Sequence, residues 1–137
     1  MKTFKLQALQ ILENEYEELV KKSITLYDGL IINREDEQNR WVIEAYVQSD
    51  YKDYFTNLRD KNEEIMVEVV ITKESNDPAT FITSIIGIND IGGERINVLF
   101  MGTIIDKRKS KIEEMLRKLI DEGYQGEELL EKFKELI

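Results

Sequence analysis

The feature that most constrains this chain is a change of hydrophobic period near residue 106. Before it, apolar residues recur mainly at every second position, as in a strand with one buried face; after it they recur at helical spacing. A chain of 137 residues has the length of one domain and can bury a core without disulfide or metal staples. The reading is a single domain over 1–137, mainly β (α+β), with a β core over 1–106 and a helical hairpin over 110–137 appended to it.

Six strands are expected. The first carries Phe4, Leu6, Ala8 and Leu12 on one face, and a polar stretch from Glu13 to Lys22 follows it. The second runs through Ile24, Leu26, Leu30 and Ile32, and the third through Trp41, Ile43, Ala45 and Val47. Ile65, Val67, Val69 and Ile71 mark the fourth, and Phe81, Thr83 and Ile85 the fifth, with Ile82 and Ile86 on its other face. Ile96, Val98 and Phe100 lead the sixth on to Ile104 and Ile105. Asn33 to Arg40 reads as a charged hairpin loop, and Asn76-Asp77-Pro78 as a turn holding the single proline. Asn89-Asp90 and Gly92-Gly93 mark the next turn. Tyr51, Tyr54, Phe55 and Leu58 predict a short helix over 50–60 between the third and fourth strands, with Asp50 as its N-cap.

Gly29, Gly87 and Gly102 fall inside expected strands, where glycine usually marks a bulge or a bend. Bends, six strands, and fifth and sixth strands that are apolar on both faces favour a closed antiparallel six-stranded β-barrel, covered outside by another element. A sandwich would satisfy part of the same pattern.

The helical segment opens with Ser110-Lys111-Ile112-Glu113, the spacing of a capping box. Ile112, Met115, Leu116, Leu119 and Ile120 form its stripe, and Gly123 is placed to end it. Leu129, Leu130, Phe133, Leu136 and Ile137 give a second helix its apolar face. With Tyr124 to Gly126 between them, the two helices must form a hairpin. Their stripes could pack on each other, on the barrel, or partly on another molecule.

The chemistry available is narrow. Cysteine and histidine are absent, which removes thiolate and imidazole metal sites, disulfides, cysteine nucleophiles and histidine general bases. Nineteen basic residues face 28 acidic ones, a net charge of −9 that opposes binding to nucleic acid or an anionic membrane. No secretory leader and no membrane span is expected, so a cytoplasmic setting is.

Each local motif has a plainer explanation than a site. Gly87 to Glu94 is similar to a phosphate-binding loop, but Gly93 stands where its lysine belongs and Glu94 would repel phosphate. Ser49-Asp50-Tyr51-Lys52 matches S-x-x-K without the companion motifs of the serine β-lactamases. Asn33, Glu35, Glu37 and Glu44 have calcium-loop spacing, yet Gln38 replaces the required glycine. The basic cluster Lys107, Arg108, Lys109 and Lys111 lacks interleaved aromatics. Trp41 reads as barrel core, and Tyr51, Tyr54 and Phe55 as packing of the short helix on the barrel rim. Glu17/Glu18, Glu63/Glu64, Glu113/Glu114 and Glu127/Glu128 give no reason for the split pKa values that acid–base catalysis needs. No catalytic, cofactor-binding or metal-ligating residue is assigned, no cofactor is expected, and the chain is read as not an enzyme.

Several strings carry a specific resemblance: Asp28-Gly29-Leu30-Ile31-Ile32-Asn33, Trp41-Val42-Ile43-Glu44-Ala45, Val70-Ile71-Thr72-Lys73, Asn76 through Thr83, Val98-Leu99-Phe100, and Gly123 through Leu130. Together they resemble the YwpF-like family, small and mostly uncharacterised proteins of bacilli and staphylococci. The resemblance implies a β-barrel with a pair of C-terminal helices, similar in architecture to the tube-forming Hcp proteins of type VI secretion. It brings no catalytic or ligand-binding residues. Fold likeness alone does not carry function. The expectation is a non-enzymatic interaction or assembly module that presents its 110–137 hairpin to a protein partner or to copies of itself, without nucleic acid or membrane. The alternative is a carrier holding a small apolar ligand in the barrel mouth, though no residue pattern supports a ligand.

Overall fold

Seven hydrogen-bonded segments build one antiparallel sheet in a computed structural model, which describes residues 1–105 and 109–137 and the side chains of 1–105 and 111–137. They are β1 (Lys2–Glu15), β2 (Glu18–Ile24), β3 (Asp28–Asn33), β4 (Arg40–Gln48), β5 (Ile65–Ile71), β6 (Ala79–Gly92) and β7 (Arg95–Ile105). A 3₁₀ turn (Ser49–Tyr51) and α1 (Lys52–Lys61) separate β4 from β5, and α2 (Lys109–Asp121) and α3 (Gly126–Leu136) close the chain.

Six of the segments close a ring, in the order β1-β3-β4-β7-β6-β5, and β5 returns to β1 with Leu12 opposite Met66 and Leu6 opposite Ile71. The expected six-stranded barrel is thus the observed architecture. The seventh segment comes from two corrections. The expected second strand is broken at residues 25–27 into β2 and β3. The polar stretch Glu13 to Lys22 is not a loop but the end of a β1–β2 hairpin, paired from Leu9–Ile24 to Glu15–Glu18. Its turn residues, Tyr16 and Glu17, both have positive φ (50° and 64°). This hairpin stands beyond the ring as an arm, with Tyr16 at its tip 97% exposed.

A bulge between Leu6 and Ala8 changes which side of β1 faces inward. Leu9 and Ile11 enter the barrel, whereas Ala8 does not and Leu12 turns outward. One extra residue flips every later side chain to the opposite face, so strict alternation from Phe4 fails here. On β4, β5 and β7 the expected inward residues are the observed ones, with Ile43, Ala45, Val47, Val67, Val98 and Phe100 fully buried.

Of the three strand glycines, Gly87 lies at a bulge in β6, as expected. Gly29 and Gly102 mark close approach instead. At Gly102, opposite Trp41 on β4 and Thr83 on β6, a β-carbon would overlap the Ile82 carbonyl. The turn after β6 is at Gly93-Glu94, both with positive φ, while Asn89 and Asp90 remain in the strand.

The barrel has a plugged end. Phe55 of α1 is fully buried, its ring edge-on to Phe100 (5.9 Å between centroids, 81°), and Leu58 follows it inward. Asp50 does not cap this helix: Tyr51 occupies the N-cap without a side-chain bond. The clamps lie elsewhere. The arm holds one side, where the Thr25 N–H donates to the Tyr51 hydroxyl (3.0 Å) and the Tyr54 hydroxyl donates to Glu13 (3.0 Å). The β6–β7 hairpin holds the other through Lys52–Asp90 (2.9 Å) and the Ser49 N–H on the Glu94 carbonyl (2.8 Å).

The helical hairpin forms a second core on the outside. Ile112, Leu116, Leu119, Ile120, Leu129 and Phe133 bury against Leu12, Met66, Ile82 and Ile105, which project outward from β1, β5, β6 and β7. Of the placements left open by the sequence, the stripes pack both on each other and on the barrel. Most of the C-terminal stripe is therefore engaged within the chain, while Leu136 and Ile137 of the expected apolar face stay exposed (51% and 46%). Gly123 (φ +99°) ends α2 in a Schellman arrangement: its N–H reaches Ile120 and that of Tyr124 reaches Leu119. The Ser110 side chain of the expected capping box, and Lys107, Arg108 and the Lys109 side chain of the basic cluster, lie outside what the structure describes. No helix among the described residues is long and apolar enough to cross a membrane.

Candidate functional site

Among the described residues, two regions stand out once both cores are assembled. The first is a cleft of about 160 Å³ at the seam between them. Leu12, Asn14 and Leu19 of the arm form one wall, and Leu58 and Asn62 at the end of α1 form another. Ile65 and Met66 of β5 make the floor, under Leu116, Leu129 and Leu130 of the helices. Leu58 and Ile65 belong to the inner core, Leu12, Met66, Leu116 and Leu129 to the outer one, so the cleft lies where two independently built packings fail to merge.

Four polar side chains line the cleft: Glu13, Asn14, Asn62 and Glu64. Asn62 closes α1 by directing both its backbone N–H (3.1 Å) and its side-chain amide (3.0 Å) to the Leu58 carbonyl. Glu64 accepts from Lys134, and Glu13 from the Tyr54 hydroxyl. Burial, with the Glu13 carboxylate beside it, pushes the Tyr54 phenol far above its ordinary range. Asn14 Oδ1 is buried without a hydrogen-bond partner. A neighbouring groove among Glu17, Glu18, Arg117 and Asp121 is lined mainly by charge.

The second region is the outer face of β3, β4 and the middle of β7, opposite the inward residues Ile31, Ile43 and Phe100. Pairing aligns Ile32, Val42 and Met101 in one row and Leu30, Glu44 and Leu99 in the next. All are half-buried, and the apolar ones belong to neither core. Ile86, at the adjoining bulge, is 51% exposed. Glu44 accepts from the Tyr46 hydroxyl and from Asn97 (3.1 Å). Arg34 leans over Met101 and joins Arg40 on Asp36, whose carboxyl is held below the usual range first by the Arg40 N–H and then by its guanidinium. Arg95 stacks on Tyr27 at the lower margin (4.0 Å).

The structure disperses the motifs found in the sequence. Lys52 of S-x-x-K pairs with Asp90 (2.9 Å). The Gly87 to Glu94 segment is the end of β6 and its turn. Asn33 accepts the Glu35 N–H (3.0 Å), Glu35 binds the N-terminal amine (3.1 Å), and Glu44 sits in the middle of the sheet face. Among the described residues no three acidic side chains gather as metal ligands. Trp41, read from the sequence as core, is only partly buried and packs against the core between Phe4 and Phe81, while the Tyr51/Tyr54/Phe55 group seats α1 as read from the sequence.

Sequence reasoning missed the cleft and the bare face. The alternation did contain a signal for the latter: Ile32, Val42, Leu99 and Met101 are apolar at positions that face away from the core.

A family model described as YwpF-like protein matches residues 2–136. The uncharacterised protein YwpF of Bacillus subtilis (strain 168) is 40% identical over 135 residues, 98% of each chain. A crystal structure of a hypothetical protein from Staphylococcus aureus aligns with a TM-score of 0.69 at 32% identity, covering 98% of this chain and 91% of that one.

Proposed function

The chain belongs to the YwpF-like family, and from that premise we propose a non-enzymatic assembly module that pairs with a second copy of itself through the bare outer face of β3, β4 and β7. A cytoplasmic setting is part of this proposal. One observation carries it: Leu30, Ile32, Val42, Leu99 and Met101 form a half-buried apolar patch around Glu44 that belongs to neither core and that no helix covers among the described residues, whereas the helices cover the opposite side. Apolar faces of this kind mark interaction surfaces. A second copy suits it on electrostatic grounds. The chain as a whole carries −9, but here Arg34, Arg40 and Arg95 stand beside Asp36, Glu44 and Asp28, so charge is locally balanced where two acidic copies would meet. The sequence pointed to the C-terminal hairpin as the working surface; its stripes are engaged with the barrel, which moves the proposal to the sheet. A role without catalysis is supported by the way Lys52, Glu35, Asp36 and Glu44 are each committed to partners within the fold.

The test is the mass of the native protein by sedimentation, for the wild type and for Val42→Lys. A wild-type dimer that becomes a folded monomer in Val42→Lys supports the proposal. A wild-type monomer at high concentration overturns self-pairing and leaves the face to another protein. A closed ring, the assembly that an Hcp-like reading implies, would keep the assembly role and replace the paired geometry.

A further inference from the structure

We propose that the cleft between the arm, α1 and the helical hairpin is a binding site for a small neutral molecule with an apolar body and one O–H or N–H donor. The size fits: about 160 Å³ is close to the roughly 150 Å³ of an apolar cavity that accepts benzene. Leucine, isoleucine and methionine side chains from both cores make up most of the lining beside Glu13, Asn14, Asn62 and Glu64, which suits an apolar body with a polar end. Asn14 lines the cleft and its Oδ1 is buried without a partner; such an acceptor is costly to leave unmet, and a turn of the side chain toward a ligand donor would supply the specificity.

Charge selects further. Glu13 and Glu64 line the cleft, and Lys134 is already engaged with Glu64. A carboxylate ligand would meet two acids and no free base among these lining groups. Fatty acids are therefore excluded, and neutral donors such as an indole or an alkyl or aryl alcohol are admitted. This places the ligand site outside the barrel. The barrel interior is filled by Phe55, Phe81, Phe100 and their neighbours, and α1 closes its lower end.

Amide chemical shifts of the full-length protein, followed on addition of indole, toluene or benzoate, test the assignment. Indole should produce saturable shifts confined to Asn14, Leu19, Asn62, Leu116 and residues 126–130, with toluene about tenfold weaker for want of the donor and benzoate silent. Asn14→Leu should bring indole and toluene to the same affinity. Leu130→Trp, which fills the mouth from its partly exposed edge, should abolish the shifts. The proposal is overturned if indole shifts nothing up to its solubility limit, if toluene equals indole in the wild type, or if the shifts persist in Leu130→Trp. Should Leu130→Trp fail to fold, the Asn14→Leu comparison decides alone.

Discussion

The inner and outer cores share strands but are held together differently. On β5, Ile65, Val67 and Val69 point into the barrel while Met66, between them, lies under the helices. The inner core is enclosed on all sides by strands paired along both edges and from below by α1. The outer core is a sheet surface with one layer of two helices laid on it. A ring hydrogen-bonded all round cannot contract to fill a gap, whereas helices docked on a surface can shift. The cost of a cavity depends on how far its surroundings collapse, so the two cores should respond differently to the same kind of truncation.

Phe55→Ala is the severest way to test that contrast. It removes a fully buried ring from the barrel's plug and should cost about 3–5 kcal/mol, with amide exchange accelerated in every strand of the ring. Leu116→Ala, 1% exposed in the outer core, should fall in the lower part of the roughly 2–5 kcal/mol range for such changes. Its faster exchange should be confined to α2, α3 and the arm. If both variants lose protection throughout the molecule, the two cores are one cooperative unit and the distinction fails.

A smaller effect sharpens the picture of the plugged end. Burial raises the Tyr54 phenol, and Glu13 raises it further by accepting its proton in a hydrogen bond. A folded pKa above the unfolded value means that the folded state holds the proton more tightly. This contribution is whole below about pH 10, where free tyrosine titrates, and is lost as pH rises beyond it. Absorbance titration of the six tyrosines should show a late-ionising phenol that disappears in Tyr54→Phe. An identical late phase in both proteins would mean that the arm does not shelter this residue.

Much of the wall was legible because its inward residues keep a strict alternation. Trp41 to Val47 and Ile65 to Ile71 read correctly, since each of these strands runs without a bulge. The first strand misread after Leu6, where one extra residue reverses the faces and local sequence carries no mark of it. The arm was missed for a related reason. Tyr16 and Glu17 adopt the left-handed turn usually assigned to Asn and Gly, so the hairpin signal was absent. Its polar residues also read as a gap, although Glu13, Lys21 and Lys22 contact Tyr54, Glu113 and the Tyr54 ring respectively. The cleft had no local signature at all. Asn14, Asn62, Met66 and Leu130 come together only through the closure of the ring and the docking of the hairpin.

The seam between β1 and β5 sets a timetable for synthesis. The first strand to leave the ribosome finds its closing neighbour only after Ile71 has been made, and Leu12 waits still longer for Phe133 and the rest of the last helix. Until then the growing chain presents unpaired strand edges and an apolar outer surface. Pairings this distant slow folding and lengthen exposure to aggregation. A nascent chain stalled before α2 would carry a completed ring with Leu12, Met66, Ile82 and Ile105 uncovered, the form most in need of a chaperone.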